Sequence, residues 1–305
     1  MPITPTKKIW MDGEFVDWDD AKVHILTPTM HYGWGVFEGI RAYETSGGSG
    51  IFRLTDHMKR LYRSAKIYHM APAIPVEESI EVTKELVRIN EVQTCYLRPL
   101  VYLGYGEIGL NPLPSRVAMS IACWPWGAYL GEDAFETGVR VKTSSWRRLD
   151  NDVIPPAAKA TGQYLNSSLA KVEAVKGGYD EAILLNPRGY VTDGTGENIF
   201  IARDGKLYTP PLSAGCLGGI TRDSMMQIAR GEGIEVYEAD LIRTDLYTAD
   251  EAFFTGTAAE VVPIREVDDR EVGEPGPIAR RLIEVFHAAT RGEDERYKDW
   301  VELVA

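Results

Sequence analysis

Cysteine is scarce in this sequence, with only Cys95, Cys123 and Cys216 among 305 residues. The number is odd and no two of them form a CxxC pair, so a disulfide framework and a zinc finger are both poorly supported. The five histidines form no HxxxH pair, and a metal site is therefore not expected. We expect free thiols in a reducing, cytoplasmic environment.

Long apolar runs and positive charge are also lacking. No stretch of about 18 apolar residues is available to cross a bilayer. Lysine and arginine number 33 against 45 aspartates and glutamates, which gives a formal net charge of −12. A polyanion would be repelled on average, so neither nucleic acid nor a membrane is an expected partner. The hydrophobic content of 44% suits an ordinary globular protein of one large domain or two.

Strand and helix patterns occur in separate runs over the first 125 residues, which is typical of an α+β unit. Asp12-Gly13 predicts the turn of a hairpin over residues 7–17. Thr55 or Asp56 is expected to cap a helix, and apolar spacing predicts another over Val76 to Asn90. Strands are predicted at residues 36–43, 94–103 and 117–124.

A break at Pro125 to Gly131 then suggests a linker between two parts of the chain. Further helices are predicted after Lys159, from Thr221 and from Pro277, the first of them ending at Gly177. Further strands are predicted at residues 139–145, 181–186, 199–202, 234–237 and 251–255. We therefore predict a small N-terminal domain over residues 1–125, an interdomain loop over 126–136 and a larger C-terminal domain over 137–305.

Lys159 has an unusual setting between Pro155-Pro156 and a helix. Small residues on both sides, Ala158 and Ala160, allow the backbone to approach closely, and no carboxylate adjoins the lysine in sequence. Removal from water favours the neutral amine, which is the form that attacks carbonyls and makes Schiff bases. The alternative is an ordinary solvated lysine at the start of a helix, so the functional interpretation depends on the surrounding motifs.

Two loops have the composition of anion-binding turns. Gly218-Gly219-Ile220-Thr221 leads into a helix start, and Gly256-Thr257-Ala258 follows a strand, so both offer backbone N–H groups. The turn between Thr192 and Asn198 carries two acids, Asp193 and Glu197, either of which is able to pair with a pyridinium nitrogen. Each feature alone is more often a plain capped or solvated turn.

In combination, these motifs resemble the fold-type IV pyridoxal-phosphate enzymes, and specifically the branched-chain amino-acid aminotransferases. The resemblance extends from about Ile9 to Ile264. It is carried by His31-Tyr32-Gly33, Val36-Phe37-Glu38-Gly39-Ile40-Arg41, Tyr96-Leu97-Arg98-Pro99, Trp126-Gly127-Ala128-Tyr129-Leu130-Gly131, Ala158-Lys159-Ala160 with Tyr164-Leu165-Asn166-Ser167, Gly194-Thr195-Gly196-Glu197-Asn198, Gly219-Ile220-Thr221-Arg222 and Gly256-Thr257-Ala258-Ala259-Glu260. It implies a mixed α+β and α/β fold like that of D-amino-acid aminotransferase, with pyridoxal 5′-phosphate in the cleft between the two domains.

The resemblance also implies a role for each matching residue. Lys159 is the catalytic residue and holds the cofactor as a Schiff base, while Tyr164 bonds the phenolic oxygen of the ring and Asp193 its nitrogen. The phosphate is received by Arg60, Ile220, Thr221 and Thr257. The substrate is received by Tyr32, Phe37, Arg41, Tyr96, Arg98, Trp126, Tyr129, Thr257 and Ala258, with residues 108–110 of a neighbouring subunit completing an apolar wall. The implied activity is transamination of leucine, isoleucine and valine with 2-oxoglutarate, in a homodimer or a dimer-based homohexamer.

Two departures from the family pattern bear on these roles. Asp193 stands where the family usually has glutamate, and Glu197 takes its place if the register differs. Trp34 replaces a smaller residue and is expected to affect the mouth of the pocket. The alternatives on the same fold are a D-amino-acid or (R)-amine transaminase and an aminodeoxychorismate-type lyase, and the alternative of another class is a non-enzymatic binding or scaffold protein.

Overall fold

The computed structural model of the chain describes residues 3–127 and 134–304. The elements up to residue 127 are β1 (Lys8–Met11), β2 (Glu14–Asp17), α1 (Pro28–Tyr32), β3 (Gly35–Phe37), β4 (Ile40–Thr45), β5 (Gly48–Phe52), α2 (Leu54–Ile67), α3 (Val76–Asn90), β6 (Cys95–Leu103) and β7 (Val117–Trp124). From residue 134 they are α4 (Ala134–Thr137), β8 (Val139–Arg147), α5 (Tyr164–Lys176), β9 (Glu181–Leu185), β10 (Val191–Gly194), β11 (Asn198–Arg203), β12 (Lys206–Thr209), α6 (Ile220–Gly231), β13 (Val236–Glu238), α7 (Arg243–Tyr247), β14 (Glu251–Gly256), β15 (Glu260–Val267), β16 (Arg270–Glu271), α8 (Pro277–Thr290) and β17 (Val301–Leu303). None of the helices in these ranges combines the length and apolarity that a bilayer crossing requires.

The described residues form two compact units, which divide the chain more than once. The first unit contains residues 3–127, 158–162 and 288–304, and the second contains 134–157 and 163–287. The short segment around Lys159 joins the first unit because Ala160 forms a bridge with Val36 and the Thr161 N–H donates to the Gly35 carbonyl. The C-terminal residues join it because β17 pairs with β5. Our predicted boundaries, which place everything after residue 136 in one domain, miss these long-range pairings because local composition carries no trace of them.

The sheet of the first unit separates a core face from an open face. Its strand order is β17-β5-β4-β6-β7-β1-β2, with β3 also paired to β6. Leu97 and Val101 on β6 pack with Leu61 of α2 and Leu86 of α3 in one buried cluster. Because successive side chains of a strand point to opposite faces, Tyr96, Arg98 and the other even-numbered residues of β6 lie on the face away from the helices.

Several predicted elements of this unit are confirmed and two are corrected. The hairpin forms as predicted, with Asp12 and Gly13 both at positive φ (51° and 106°), and α3 has the predicted bounds. The single strand predicted over residues 36–43 is two strands, because Glu38 and Gly39 interrupt the ladder. The predicted caps of α2 are wrong: Arg53 is the N-cap residue, and the Thr55 N–H donates to the Glu302 carboxylate instead.

The second unit is built on a mixed sheet with the order β10-β9-β8-β15-β14-β11-β12-β13, and β16 pairs with β15. Strand β8 runs parallel to both of its neighbours, β9 and β15, whereas β14 pairs antiparallel with both β11 and β15. Helix α5 packs through Ala170 and Ala174 against Ala182 and Leu184 of β9. Leu165, Leu169, Val172 and Val175 follow one face of α5 at helical spacing, and this α5 stripe is exposed.

Candidate active site

The first unit holds Lys159 by its backbone on both sides. The Lys159 N–H donates to Ser64 Oγ on α2 (3.2 Å), and the Lys159 carbonyl accepts the Phe37 N–H (3.0 Å). Ala158 and Ala160 are buried, at 0% and 2% exposure, as the sequence predicted from their size. The side chain itself is half-buried, and its amine lies 5.0 Å from the centre of the Phe37 ring. The lysine is therefore a fixed residue with a reachable amine, not a solvated one at a helix start.

Arg98 lies on the open face of the sheet and is surrounded by aromatic rings. Its guanidinium carbon is 4.7 Å from the centre of Phe37, 5.3 Å from Tyr96 and 5.9 Å from Trp124. Arg98 Nη2 also donates to the Tyr96 hydroxyl (3.3 Å). Tyr96 reaches this position because residue 39 is glycine: a Cβ there would lie 1.9 Å from the tyrosine oxygen. Aromatic faces attract a cation without using its N–H groups, so the arginine is held in place while able to bond a ligand.

Arg98 Nε, Trp124 Nε1 and Trp126 Nε1 are buried donors with no hydrogen-bond acceptor among the described residues. The rings of Tyr96, Trp124 and Trp126 lie 5.2 to 5.7 Å from one another, so these donors belong to one aromatic cluster. Arg41, predicted to contact substrate, is buried and donates through Nη2 to the Trp126 carbonyl (3.3 Å). Because a buried donor without an acceptor costs free energy, the cluster fits a ligand that brings oxygen atoms.

Arg60, predicted as a phosphate ligand, is bonded to Glu38. Its Nε and Nη2 donate to the two carboxylate oxygens at 2.6 and 2.8 Å, and His57 Nδ1 lies 2.8 Å from the second oxygen. Burial by itself would raise the pKa of Glu38, but the charge of Arg60 and the contact with His57 hold it well below its usual range. Burial lowers the pKa of His57, with Glu38 opposing the shift. The group is therefore an ionised glutamate–arginine pair with a neutral histidine beside it.

In the second unit, Asp193 opens into a cavity that Tyr164, Ser167, Glu197 and Leu217 also line. Arg148 donates Nε (2.9 Å) and Nη2 (2.7 Å) to Asp193 Oδ1, and the Thr192 hydroxyl donates to the same oxygen (2.7 Å). The second oxygen, Oδ2, takes none of these bonds. Burial raises the pKa of Asp193, while the Arg148 charge opposes the rise. One carboxylate oxygen is thus held by the protein and the other is left to accept a donor from the cavity.

Glu197 lies in the same cavity but in a different electrostatic setting. Its Oε2 accepts the Gly196 N–H (3.0 Å). Burial, together with the charge of Glu181, raises the pKa of Glu197 to about 8. Glu181 is itself held by Lys171 Nζ at 2.7 Å and by the Thr195 hydroxyl at 2.8 Å. Near neutral pH, Glu197 is mostly uncharged and Asp193 has the cation beside it, so Asp193 is the better partner for a positively charged ring nitrogen.

The two predicted anion-binding turns form in the second unit. Helix α6 begins at Ile220, one residue before the predicted cap, with Gly219 as the N-cap and no side-chain cap. A Cβ at Gly219 would lie 2.0 Å from Asn198 Oδ1, so the turn passes too close to Asn198 for a larger residue. Thr221 is buried in the first turn of this helix. Thr257 and Ala258 form the turn between β14 and β15, and the buried Thr255 hydroxyl beside it has no partner among the described residues.

The remaining predicted residues are not brought to these clusters by any described contact. Tyr32 ends α1 and is 41% exposed. Ile108 and Leu110 are exposed. Tyr129 lies outside the described residues. Trp34 packs against the core of the first unit, edge-on to Tyr68 at 5.5 Å, so the expectation that it shapes the mouth of the pocket is not supported.

Sequence reasoning missed the residues that hold the predicted ones in place. Glu38 is part of a quoted motif, and an acid inside an apolar strand pattern was a usable signal for a buried ion pair. His57 and Ser64 lie one turn before and after Arg60 on α2, so helical spacing indicated a shared face only once the role of Arg60 was known. Arg148 gives no local signal, because it meets Asp193 through the pairing of distant strands.

Comparison with known proteins leads to the same family. The family model described as amino-transferase class IV matches residues 35–267. The branched-chain-amino-acid aminotransferase of Pseudomonas aeruginosa is 47% identical over 298 residues, which is 97% of each chain. The branched-chain amino acid aminotransferase of T.th., complexed with N-(5′-phosphopyridoxyl)-L-glutamate, is similar with a TM-score of 0.94 and 47% identity, over 98% of this chain and 99% of that one. Its complex with 4-methylvaleric acid gives a TM-score of 0.94, 46% identity and the same coverage. The predicted fold class is confirmed.

Proposed function

This chain belongs to the class IV amino-transferase family, and from that premise we propose that it transfers the amino group of leucine, isoleucine or valine to 2-oxoglutarate. The products are a branched 2-oxo acid and L-glutamate. The observation that carries the proposal is the position of the Phe37 ring, 5.0 Å from the Lys159 amine and 4.7 Å from the Arg98 guanidinium carbon. One apolar ring thus adjoins both a nucleophilic amine and a cation suited to a carboxylate.

The residues present fit pyridoxal 5′-phosphate, the cofactor of this family. When bound, it supplies an electron-poor ring that stabilises negative charge at the α-carbon of an amino acid. Asp193 Oδ2, to which Arg148 and Thr192 do not donate, suits the ring nitrogen, and Tyr164 suits the phenolic oxygen. Arg60 and the turns at Ile220–Thr221 and at Thr257 are assigned to the phosphate. The start of α6 supports this, because the first turn of a helix presents its backbone N–H groups, here those of Ile220 and Thr221, toward an anion.

The catalytic steps of the chain itself centre on Lys159. Its amine would hold the cofactor through the carbonyl carbon, with loss of water, and the incoming amine of the substrate would take its place. Once released, the Lys159 amine would act as the base that takes the α-proton and as the acid that delivers it to the cofactor carbon two bonds from the α-carbon. Asp193, which Arg148 orients, would stabilise a positive charge at the ring nitrogen. In the second half of the cycle the same residues act in reverse on 2-oxoglutarate.

Dual recognition of an apolar and an acidic side chain is assigned to the open face of the first unit. Phe37 and Trp126 supply apolar surface for the branched side chain. Arg98, with the unmatched Trp124 and Trp126 donors, receives the distal carboxylate of glutamate. A relative of known structure binds both ligand types: the phosphopyridoxyl-glutamate adduct in one complex, and in the other 4-methylvaleric acid, which has the carbon skeleton of leucine. Tyr96, Thr257 and Ala258 are assigned to the α-carboxylate.

The assembly is proposed to be a homodimer or a dimer-based homohexamer in the cytosol. Two groups of large apolar residues support an oligomer because they are exposed: Ile108 and Leu110 of the first unit, and the α5 stripe of the second. Three free, buried thiols support a reducing compartment.

The decisive experiment is borohydride reduction of the holoenzyme, followed by mass spectrometry of its peptides. We expect a pyridoxyl tag on Lys159 and none in Lys159→Ala, which should fold yet fail to turn over. A tag elsewhere, or a colourless reconstituted protein, contradicts the proposal and favours a binding or scaffold protein. A lyase is excluded if leucine and 2-oxoglutarate give glutamate and the branched 2-oxo acid in equal amounts. The D-amino-acid and (R)-amine transaminases are excluded if the protein is inactive with D-alanine and with (R)-amines.

A further inference from the structure

Glu38 and His57 are buried, titratable residues that the proposed reaction does not use. Glu38 is 0% exposed and His57 is 1% exposed, and Glu38 contacts both His57 and Arg60, which is 7% exposed. Burying a carboxylate and an imidazole is costly, and an ion pair of this kind is weak evidence for stability by itself. The burial of Glu38 and His57 is therefore better explained by a role at Arg60 than by a contribution to stability.

The carboxylate of Glu38 is occupied entirely by the protein. Its Oε1 accepts Arg60 Nε, while its Oε2 accepts Arg60 Nη2 and contacts His57 Nδ1 and the Gly39 N–H (3.3 Å). A guanidinium is a rigid, planar fork, so fixing the edge formed by Nε and Nη2 also fixes the plane of the whole group. The edge formed by Nη1 and Nη2 is then directed away from Glu38.

Two hydrogen bonds connect the neighbours of Arg60 and Glu38 to the backbone of Lys159. Ser64, one helical turn after Arg60 on α2, accepts the Lys159 N–H. Phe37, the residue before Glu38, donates its N–H to the Lys159 carbonyl. Both partners of the Glu38–Arg60 pair thus lie next to a group that holds the backbone of the lysine, which places the guanidinium and the amine on one framework.

We propose that Glu38 and His57 are positioning residues, which hold Arg60 as a phosphate anchor in fixed register with Lys159. The inference rests on the assignment of Arg60 to the cofactor phosphate under the proposed function. Glu38 orients the guanidinium, and His57 orients Glu38 through Nδ1. The alternative is that Glu38 lowers the affinity for phosphate. A buried negative charge beside Arg60 would then weaken the binding of an anionic group, and removal of that charge would tighten it.

The test compares the binding of two probes to apoprotein: pyridoxal 5′-phosphate and pyridoxal, which lacks the phosphate. Dissociation constants are measured by quenching of tryptophan fluorescence for the wild type and for Glu38→Gln, His57→Phe and Arg60→Gln. Glu44→Gln, an exposed carboxylate on β4, is the matched control. We expect Glu38→Gln to weaken pyridoxal 5′-phosphate binding by about tenfold to a hundredfold, the range of a charge-assisted hydrogen bond, with pyridoxal binding changed less than about threefold.

His57→Phe keeps the ring volume and should weaken binding of the phosphorylated probe by about threefold to tenfold, so the proposal stays testable if Glu38→Gln does not fold. In the Arg60→Gln background, Glu38→Gln should have little further effect, because its action runs through Arg60. Equal losses for both probes would reveal a merely structural role, and tighter binding by Glu38→Gln would reveal competition; either overturns the inference. Wild-type protein that binds neither probe contradicts the proposed function instead.

Discussion

Arg148 directs two donors, Nε and Nη2, at the same oxygen of Asp193, so that this carboxyl group is oriented and its other oxygen is still able to accept a donor. The aspartate is one methylene shorter than the glutamate expected from the family pattern. A shorter side chain has fewer rotamers, and the contact with two donors of Arg148 fixes Asp193 in one of them. The second unit thus orients Asp193, the proposed partner of the ring nitrogen, through a residue that is distant in sequence.

Asp193→Asn should therefore slow transamination while the cofactor still binds. The amide cannot carry the negative charge that stabilises a protonated ring nitrogen, and we expect kcat for leucine to fall about a hundredfold or more. Stopped-flow measurement of the half-reaction, together with the visible absorbance of the bound cofactor, checks both parts. Arg148→Lys keeps the positive charge but loses the two parallel N–H donors of the guanidinium. Its kcat should lie between those of the wild type and Asp193→Asn. A larger effect of Glu197→Gln would mean that Glu197 is the ring-nitrogen partner.

Arg98→Ala should separate the two substrate classes. Glutamate and 2-oxoglutarate lose a charge-assisted contact, so we expect their kcat/KM to fall about a hundredfold, against less than about tenfold for leucine. Steady-state kinetics with each amino donor gives the comparison, and Arg88→Ala, an exposed arginine on α3, is the control. If both donors lose activity equally, Arg98 has a different role.

The pH dependence of the free energy of unfolding should reflect the titration of Glu197. Its folded pKa of about 8 lies above the ordinary value of 4.5, so the folded protein keeps a proton that the unfolded chain releases. The free energy of unfolding of the apoprotein therefore decreases as pH rises from about 4.5 to 8, by up to about 1.4 kcal/mol per pH unit from this group.

Glu197→Gln removes that titration and should flatten the decrease, leaving the variant more stable than the wild type at pH 8. Urea unfolding of the apoprotein between pH 5 and pH 8 measures the effect, with Glu271→Gln on the exposed strand β16 as the control. A wild type whose stability rises with pH across this window, in parallel with Glu197→Gln, would show that the carboxyl is already ionised.

The exposed stripe of α5 should control assembly. Leu165, Leu169, Val172 and Val175 are 45% to 73% exposed and follow one face of the helix. Leu169→Asp should lower the molar mass measured by light scattering at micromolar concentration, because a charge would be buried in the proposed interface. Ser46→Asp, at an exposed turn position between β4 and β5, should leave the mass unchanged. The same mass for both variants would move the interface to another surface.

Local pattern alone was enough for much of the fold. The Asp12-Gly13 hairpin, helix α3 and strands β6 and β7 each satisfy a short-range rule of turn conformation, helical period or buried strand, and such rules operate within a dozen residues. The motifs around Lys159 and Asp193, read together, indicated the family and the type of chemistry. None of this required knowledge of which distant residues meet.

The tertiary structure decided what those residues are bonded to. Arg60 meets Glu38, Arg148 meets Asp193 and Ser64 meets Lys159 across 22 to 95 positions of sequence, through sheet pairing and helix packing that no local pattern encodes. The sequence by itself therefore determined which chemistry the protein is equipped for. Only the fold decided which acid stays ionised and which arginine is held, because burial and the nearest charge set both, and these are properties of packing rather than of residue order.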